Sequence, residues 1–204
     1  VQAKLNEGMG YFGYEHLRPT YPVYRAAIEA LPGRPVFSED RFRIRVPPRY
    51  PEKDYDEELT RRGFYHATLA GGVAGIWGTN HPGGWGPGDL SRPYPHPEIV
   101  KTWARFFEHR FTVDMESRSD DAGTYALVRK GGKGFVIYRE DASAIELDLT
   151  SLPESSSGVA VDTKRAYEEI PIAALEPGKR TWKAPYESDW VIAIGDFTEE
   201  TSTP

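Results

Sequence analysis

The sequence predicts two architectures in succession: α/β structure over residues 1–112 and an antiparallel β-sandwich over 113–204. Three observations carry that reading. Up to about residue 110, short apolar runs alternate with patterns of helical period, as β-α units require. After Met115 the period shortens to two, with turn residues between short runs. The charge balance steps at the same place: residues 1–112 hold 15 Lys and Arg against 13 Asp and Glu, whereas 113–204 hold 10 against 18.

Composition narrows the classes. With 204 residues, 39% hydrophobic and 13% aromatic, the chain has material for packed cores. It contains no cysteine, which excludes disulfides, a thiolate nucleophile and zinc-thiolate sites. The lack of cysteine does not fix the compartment; the reading leans to a secreted or periplasmic protein. No apolar run approaches the roughly 20 residues of a membrane span. The acidic second part has no basic stripe and argues against a nucleic-acid partner. Val1-Gln2-Ala3-Lys4 has neither an initiator Met nor an apolar leader core, and is read as a cut within a longer chain.

Taken in order, Met9-Gly10-Tyr11-Phe12-Gly13-Tyr14-Glu15-His16 reads as a strand emerging into a loop. Residues 23–31 then place Val23, Ala26, Ala27, Ala30 and Leu31 on one helical face, and Pro32-Gly33 ends the helix. Val36-Phe37 is a buried strand that delivers Ser38-Glu39-Asp40 at its carboxyl end. Phe42, Ile44 and Val46 alternate with Arg41, Arg43 and Arg45, so the chain stays extended until Pro47-Pro48 and Pro51 open a loop. Asp54-Tyr55-Asp56-Glu57-Glu58 starts a second helix, its acids favourable at the positive end of the helix dipole. That helix runs through Leu59, Gly63, Phe64, Ala67 and Leu69-Ala70 to a stop at Gly71-Gly72. Val73-Ala74-Gly75-Ile76-Trp77-Gly78 is a further buried strand, followed by a Gly/Pro-rich loop from Thr79 to Asp89. A third helix over 97–107 has Ile99, Trp103, Phe106 and Phe107 on its core face.

This alternation is that of β-α units around a parallel sheet. Three units cannot close an eight-stranded barrel, so the first part is expected to be the C-terminal portion of a TIM-type (β/α)8 barrel whose N-terminal portion is absent. Left alone, it would need that portion or would self-associate through its unpaired edge. Beyond Met115 the runs 124–130, 134–139, 144–149, 159–163, 180–184 and 189–194 are predicted strands of the sandwich. The residues from Glu199 onward are a polar tail.

Placed in sequence, Pro35-Val36-Phe37-Ser38-Glu39, the helix with Arg61-Arg62-Gly63-Phe64-Tyr65 and the strand Gly71-Gly72-Val73-Ala74-Gly75-Ile76-Trp77-Gly78 resemble the last strands of apiosidase-like glycoside hydrolases. Gly134-Phe135-Val136-Ile137-Tyr138, Leu147-Asp148-Leu149 and Ala184-Pro185-Tyr186-Glu187-Ser188-Asp189-Trp190-Val191 are similar to the collagen-binding-like β-domain that follows such barrels. The resemblance implies a retaining glycosidase with Glu39, at the end of the seventh barrel strand, as nucleophile. The acid/base carboxyl, at the end of the fourth strand, would then precede Val1. A carboxylate suits this chemistry because it stabilises or bonds an oxocarbenium-like sugar carbon.

Around Glu39, the sequence offers a binding wall for a poly- or oligosaccharide. Trp77, Thr79, Asn80, His81 and Trp85 pair aromatic faces with polar groups, as a sugar's CH faces and hydroxyls require. Tyr14, His16 and Asp40 are further candidates. Each has a plainer reading: Glu39 and Asp40 as a cap or ion pair with Arg41, Trp77 as core, Trp85 as loop filler. Trp182 and Trp190 are read as core or seam residues rather than a sugar platform. The five His residues show no metal-ligand spacing, and Gly83-Gly84-Trp85-Gly86-Pro87-Gly88 lacks the context of a phosphate loop, so no metal or cofactor is expected. The rival class is a non-catalytic carbohydrate- or protein-binding or structural protein built around the β-sandwich.

Overall fold

The computed structural model describes residues 12–14, 20–30, 32–33, 35–38, 43–44, 56–72, 74–75, 78–79, 97–120 and 123–198, with backbone alone at 12–14, 37–38, 43–44, 74–75 and 78–79. The chain divides into two compact units, residues 1–96 and 97–204. The charge step lies near residue 113 and the packing boundary near 97, because charge composition does not report which sheet a helix packs on.

In the first unit, β1 (Phe12–Tyr14), β2 (Val36–Ser38) and β4 (Ala74–Gly75) form a three-stranded parallel sheet in the order β1-β2-β4. A second parallel pair joins β3 (Arg43–Ile44) to β5 (Gly78–Thr79). Helix α1 (Tyr21–Glu29) lies between β1 and β2 in sequence, and α2 (Glu57–Leu69) between β3 and β4, so helices separate the parallel strands as the sequence predicts.

Helix α1 opens with Pro22 in its first turn, where a missing N–H costs nothing. Its buried residues are Tyr21, Tyr24 and Ala27. This corrects the expected face, since Ala26 and Ala30 are exposed. The tyrosine rings bury far more area than alanine methyls and set the helix's rotation. Arg25 Nη1 donates to Ala70 O at 3.0 Å, tying α1 to the end of α2.

Asp56 caps α2, its Oδ1 accepting from Leu59 N at 2.8 Å, an interaction worth about 1 kcal/mol. The helix ends in a Schellman turn: Gly71 has φ +98°, its N–H reaches Thr68 O, and Gly72 N–H reaches Ala67 O. A Cβ on Gly72 would lie 2.8 Å from Ala67 O, so the stop at Gly71-Gly72 has a steric as well as a conformational basis.

The second unit is α3 (Pro97–Phe107) followed by one six-stranded antiparallel sheet. Its strands are β6 (Met115–Ser119), β7 (Tyr125–Arg129), β8 (Gly134–Leu149), β9 (Ser156–Asp162), β10 (Ile170–Leu175) and β11 (Gly178–Gly195), ordered β10-β9-β11-β8-β7-β6. Helix α3 buries Ile99, Phe106 and Phe107. Trp103 is only half-buried, its ring tilted against Phe107 at 5.9 Å. Thr102 Oγ1 donates to Arg165 O at 2.8 Å, and Arg110 Nη2, just beyond the helix, to Glu169 Oε1 at 2.7 Å, which tie this segment to the β9–β10 connection.

The sequence predicts two sheets; hydrogen bonding joins all six strands into one. The runs 134–139 and 144–149 are two halves of β8, and 180–184 and 189–194 are halves of β11. A straight strand of 16 residues would extend about 50 Å. Instead, β8 turns back over itself: a Cβ on Gly132, just before the strand, would lie 1.9 Å from the backbone O of Ser151, just after it. The returning half packs back on the first, so Ile145, Leu147 and Leu149 join Val128, Phe135, Ile137, Trp190, Ile192 and Ile194 in one core cluster.

Polar groups fix the bend. Asp141 adopts φ +47°, a left-handed conformation rare outside glycine. Asp189, 2% exposed, accepts from Asp141 N at 2.8 Å and from Lys164 Nζ at 2.9 Å. On β11 the pairing with β8 shifts register between Lys183 and Trp190, a bulge that bends the partner strand at the same level. The pattern breaks at 140–143 and 185–188 are therefore bends within strands rather than loops between them.

Candidate functional site

Parallel pairing brings the carboxyl ends of three strands side by side. Tyr14, the last residue of β1, pairs with Ser38, the last of β2, and Ser38 pairs with Gly75, the last of β4. Glu39 follows the central strand directly. Helices connect these strands in sequence, and Val36 at the opposite end of β2 is 2% exposed. The carboxyl edge of a parallel sheet so built is where α/β folds collect binding and catalytic groups, because the loops leaving it vary without disturbing the sheet.

The two ladders are not in one register. Phe37 pairs with Ala74 and Arg43 with Gly78, so six residues advance along one side where four advance along the other. The two-residue excess falls between Ser38 and Arg43.

Of the sequence-derived site residues, Tyr14 and Thr79 are placed by their backbone, Tyr14 at the end of β1 and Thr79 in β5 opposite Ile44. Glu39, Asp40, His16, Trp77, Asn80, His81 and Trp85 lie outside the described residues.

The tryptophans of the second unit are placed. Trp190 is fully buried, and Trp182 packs half-buried on the same core, edge-on to Trp190 at 5.2 Å. Tyr186 tilts against Trp190 at 5.1 Å, while the Arg165 guanidinium lies 4.5 Å from the Tyr186 ring centre. These rings spend their faces on one another and on the core, as the core reading expects.

Asp162, 6% exposed, sits at the centre of the polar cluster at the bend. It accepts from Ser188 Oγ at 2.8 Å, Tyr186 OH at 2.9 Å and Lys164 N at 2.9 Å. Burial and this bond raise the Tyr186 hydroxyl above the ordinary tyrosine range. For Lys164, burial pulls the ammonium down, but Asp189 and Asp141 outweigh it, so the pKa rises. The buried carboxylates Asp162 and Asp189 both accept bonds that join the chain across the bend, an architectural role. Among the described residues no group of three His, Asp or Glu could hold a metal ion, and no helix is long and apolar enough to cross a membrane.

One concave feature has no counterpart in the sequence reading. A groove of about 570 Å³ runs between β6–β7 and the returning half of β8. Its floor is Ala126, Val128, Phe135, Ile137 and Leu147, and its rim carries Arg118, Glu146, Asp148 and Lys179. Nothing in the local pattern signals it, because it depends on β8 doubling back.

No family model matches the sequence, and no curated protein does. Among solved structures the chain is similar to a glycoside hydrolase, at 14% identity and a TM-score of 0.64, over 88% of this chain and 46% of that one. It is also similar to a glycoside hydrolase family 5 protein from Bacteroides vulgatus ATCC 8482, at 13% identity and a TM-score of 0.66, over 90% of this chain and 47% of that one. At such identities the likeness is one of fold. The chain spans a little under half the length of each of these proteins.

Proposed function

We propose that this chain is part of a retaining glycoside hydrolase: the closing β-α units of a (β/α)8 barrel followed by an accessory β-domain of the sandwich kind, acting on a poly- or oligosaccharide. The observation that carries the reading is the in-register carboxyl edge Tyr14–Ser38–Gly75, with Glu39 the residue that follows its central strand in sequence. The fold likeness to glycoside hydrolases supports it. In this reading Glu39 is the nucleophile that bonds the anomeric carbon. Trp77 and Trp85 offer CH-π platforms, while Tyr14, His16, Asp40, Thr79, Asn80 and His81 supply hydroxyl partners. The acid/base belongs to a strand outside these 204 residues, roughly 5–5.5 Å from Glu39 across the scissile bond.

The test uses the longer protein containing this chain. An activated 2-deoxy-2-fluoro glycoside slows breakdown of a glycosyl-enzyme, so peptide mapping by mass spectrometry should find the sugar esterified to Glu39. Glu39→Gln should abolish both labelling and turnover at nearly unchanged fold. A label on another carboxylate, or product of inverted anomeric configuration, would remove Glu39 from the mechanism. Absence of turnover on a panel of aryl glycosides and plant polysaccharides would leave the binding or structural class in its place.

A further inference from the structure

We propose that the groove beside the returning half of β8 is a strand-addition site for an extended polypeptide partner that alternates apolar and basic residues. Four observations lead there. First, residues 142–149 of β8 pair with β11 alone among the described residues, since β7 meets β8 only over 135–138. The other edge of this half-strand therefore presents backbone donors and acceptors without a ladder. Second, the groove lies along that edge, as its rim includes Glu146, Asp148 and Thr150.

Third, the groove opens beside β7. Val128, Phe135, Ile137 and Leu147 line its closed depth, each at most 3% exposed, whereas Ala126 on β7 is half-buried. A strand added beside residues 144–149 would seat alternate side chains over Ala126. Leu147 points into the core and Glu146 and Asp148 out to solvent, so the period of two carries across to the added strand. Small or β-branched apolar side chains fit the inward positions.

Fourth, the outward charges specify the partner. On β11 the outward side chains are Lys179, Thr181 and Lys183, paired with Asp148, Glu146 and Ala144 of β8. Lys179 and Arg118 both act on Asp148 and lower its pKa, after the larger effect of its bonds from Thr150. Glu146 faces Thr181 and has no cation directly opposite. Outward charge thus runs basic on β11 and acidic on β8, and the next strand in the series is complementary when basic. A second copy adding edge to edge would bring Glu146 and Asp148 against their own kind, which disfavours self-pairing. Strand addition supplies affinity through the main chain and selectivity through alternate side chains. The inference does not depend on the glycosidase reading.

The probe is a short fluorescent peptide alternating lysine and valine, followed by anisotropy with the full chain. It should bind and protect the amides of residues 144–149 from hydrogen exchange. Glu146→Lys, an exposed substitution, should weaken binding about fivefold, the scale of reversing one cross-strand charge pair. Ala126→Leu, which fills the floor, should weaken it as well. Glu154→Lys, an equal charge change on an exposed loop, should leave it unchanged. A glutamate–valine peptide, or the lysine–valine peptide with N-methylated amides, should not bind. The proposal is overturned if the peptide fails to bind at about 1 mM, if the acidic or N-methylated peptide binds equally, or if Glu154→Lys weakens binding as much as Glu146→Lys. A dimer in light scattering that Glu146→Lys dissolves would assign the edge to a second copy and overturn it too.

Discussion

Two adjacent glycines offer a direct test of whether β8 doubles back. Gly131 and Gly132 both have left-handed backbone, at φ +77° and +73°. A Cβ on Gly131 meets nothing within 4 Å, whereas one on Gly132 lies 1.9 Å from Ser151 O and 2.5 Å from its carbonyl carbon. Alanine at either position carries the left-handed strain, roughly 1–2 kcal/mol. Only at Gly132 must backbone also move, by more than 1 Å to restore a 3.0 Å contact. The group that must yield is main chain next to Leu152, which is held in the core with Leu149, so relaxation there resembles overpacking, about 1–3 kcal/mol more. Gly131→Ala should therefore cost about 1 kcal/mol and Gly132→Ala about 3 kcal/mol or more. Native-state amide exchange at residues 191–194, central in the sheet, reads the opening of this unit alone. Equal costs for the two variants would mean that Ser151 does not lie against Gly132. The return of β8 would then fail, and the groove with it.

Other substitutions probe the polar supports. Asp189→Ala should cost about 2–3 kcal/mol by leaving the Asp141 N–H and Lys164 without their buried partner, and Asp189→Asn less, because its side-chain oxygen still accepts from Asp141; chemical denaturation ranks the two, and an equal loss would mean that charge alone matters. The folded Lys164 pKa lies above its unfolded value, so its contribution is complete below about pH 10.4 and is lost as pH rises through the higher folded value. Asp189→Asn should flatten that alkaline loss of stability in a pH-resolved melt. Arg129 donates to Asp114 and to the carbonyls of Asp196 and Thr198, the latter two at 2.9 Å, so Arg129→Met should free the chain beyond Gly195, seen as faster amide exchange there. Bonds from Arg129 and Thr112 lower the Asp114 pKa, so this clamp stabilises above about pH 4 and weakens as pH falls through the folded value.

Much of the fold is legible in the sequence because it is local. The change of period near Met115 marks the passage from helix-linked parallel strands to an antiparallel sheet. Gly71-Gly72 reads as a helix stop and is one, through a Schellman turn whose geometry any glycine pair after an apolar helix suggests. What sequence periodicity misses is long-range. It breaks β8 at Glu140-Asp141 because two acids end an apolar run, yet the strand resumes beyond them: Arg139 pairs with Trp190 and Ala142 with Ser188 across a register shift, and Asp189 of β11 accepts from the Asp141 N–H. It turns α1 the wrong way because alanines and tyrosines count alike in an apolar pattern but not in buried area.

The site divides along the same line. Strand order follows from chain order in β-α units, so the neighbouring of the runs 9–16, 36–37 and 73–78 is foreseeable, whereas their pairing at Tyr14, Ser38 and Gly75 is not. The two-residue slip between the ladders is not, because register across parallel strands is set by side-chain packing and helix seating rather than by any local signal. A slip of an even number of residues keeps the alternation of faces that a single-residue slip would reverse: Arg43 has the parity of Phe37, and Gly78 that of Ala74, so both parallel pairings present the same faces.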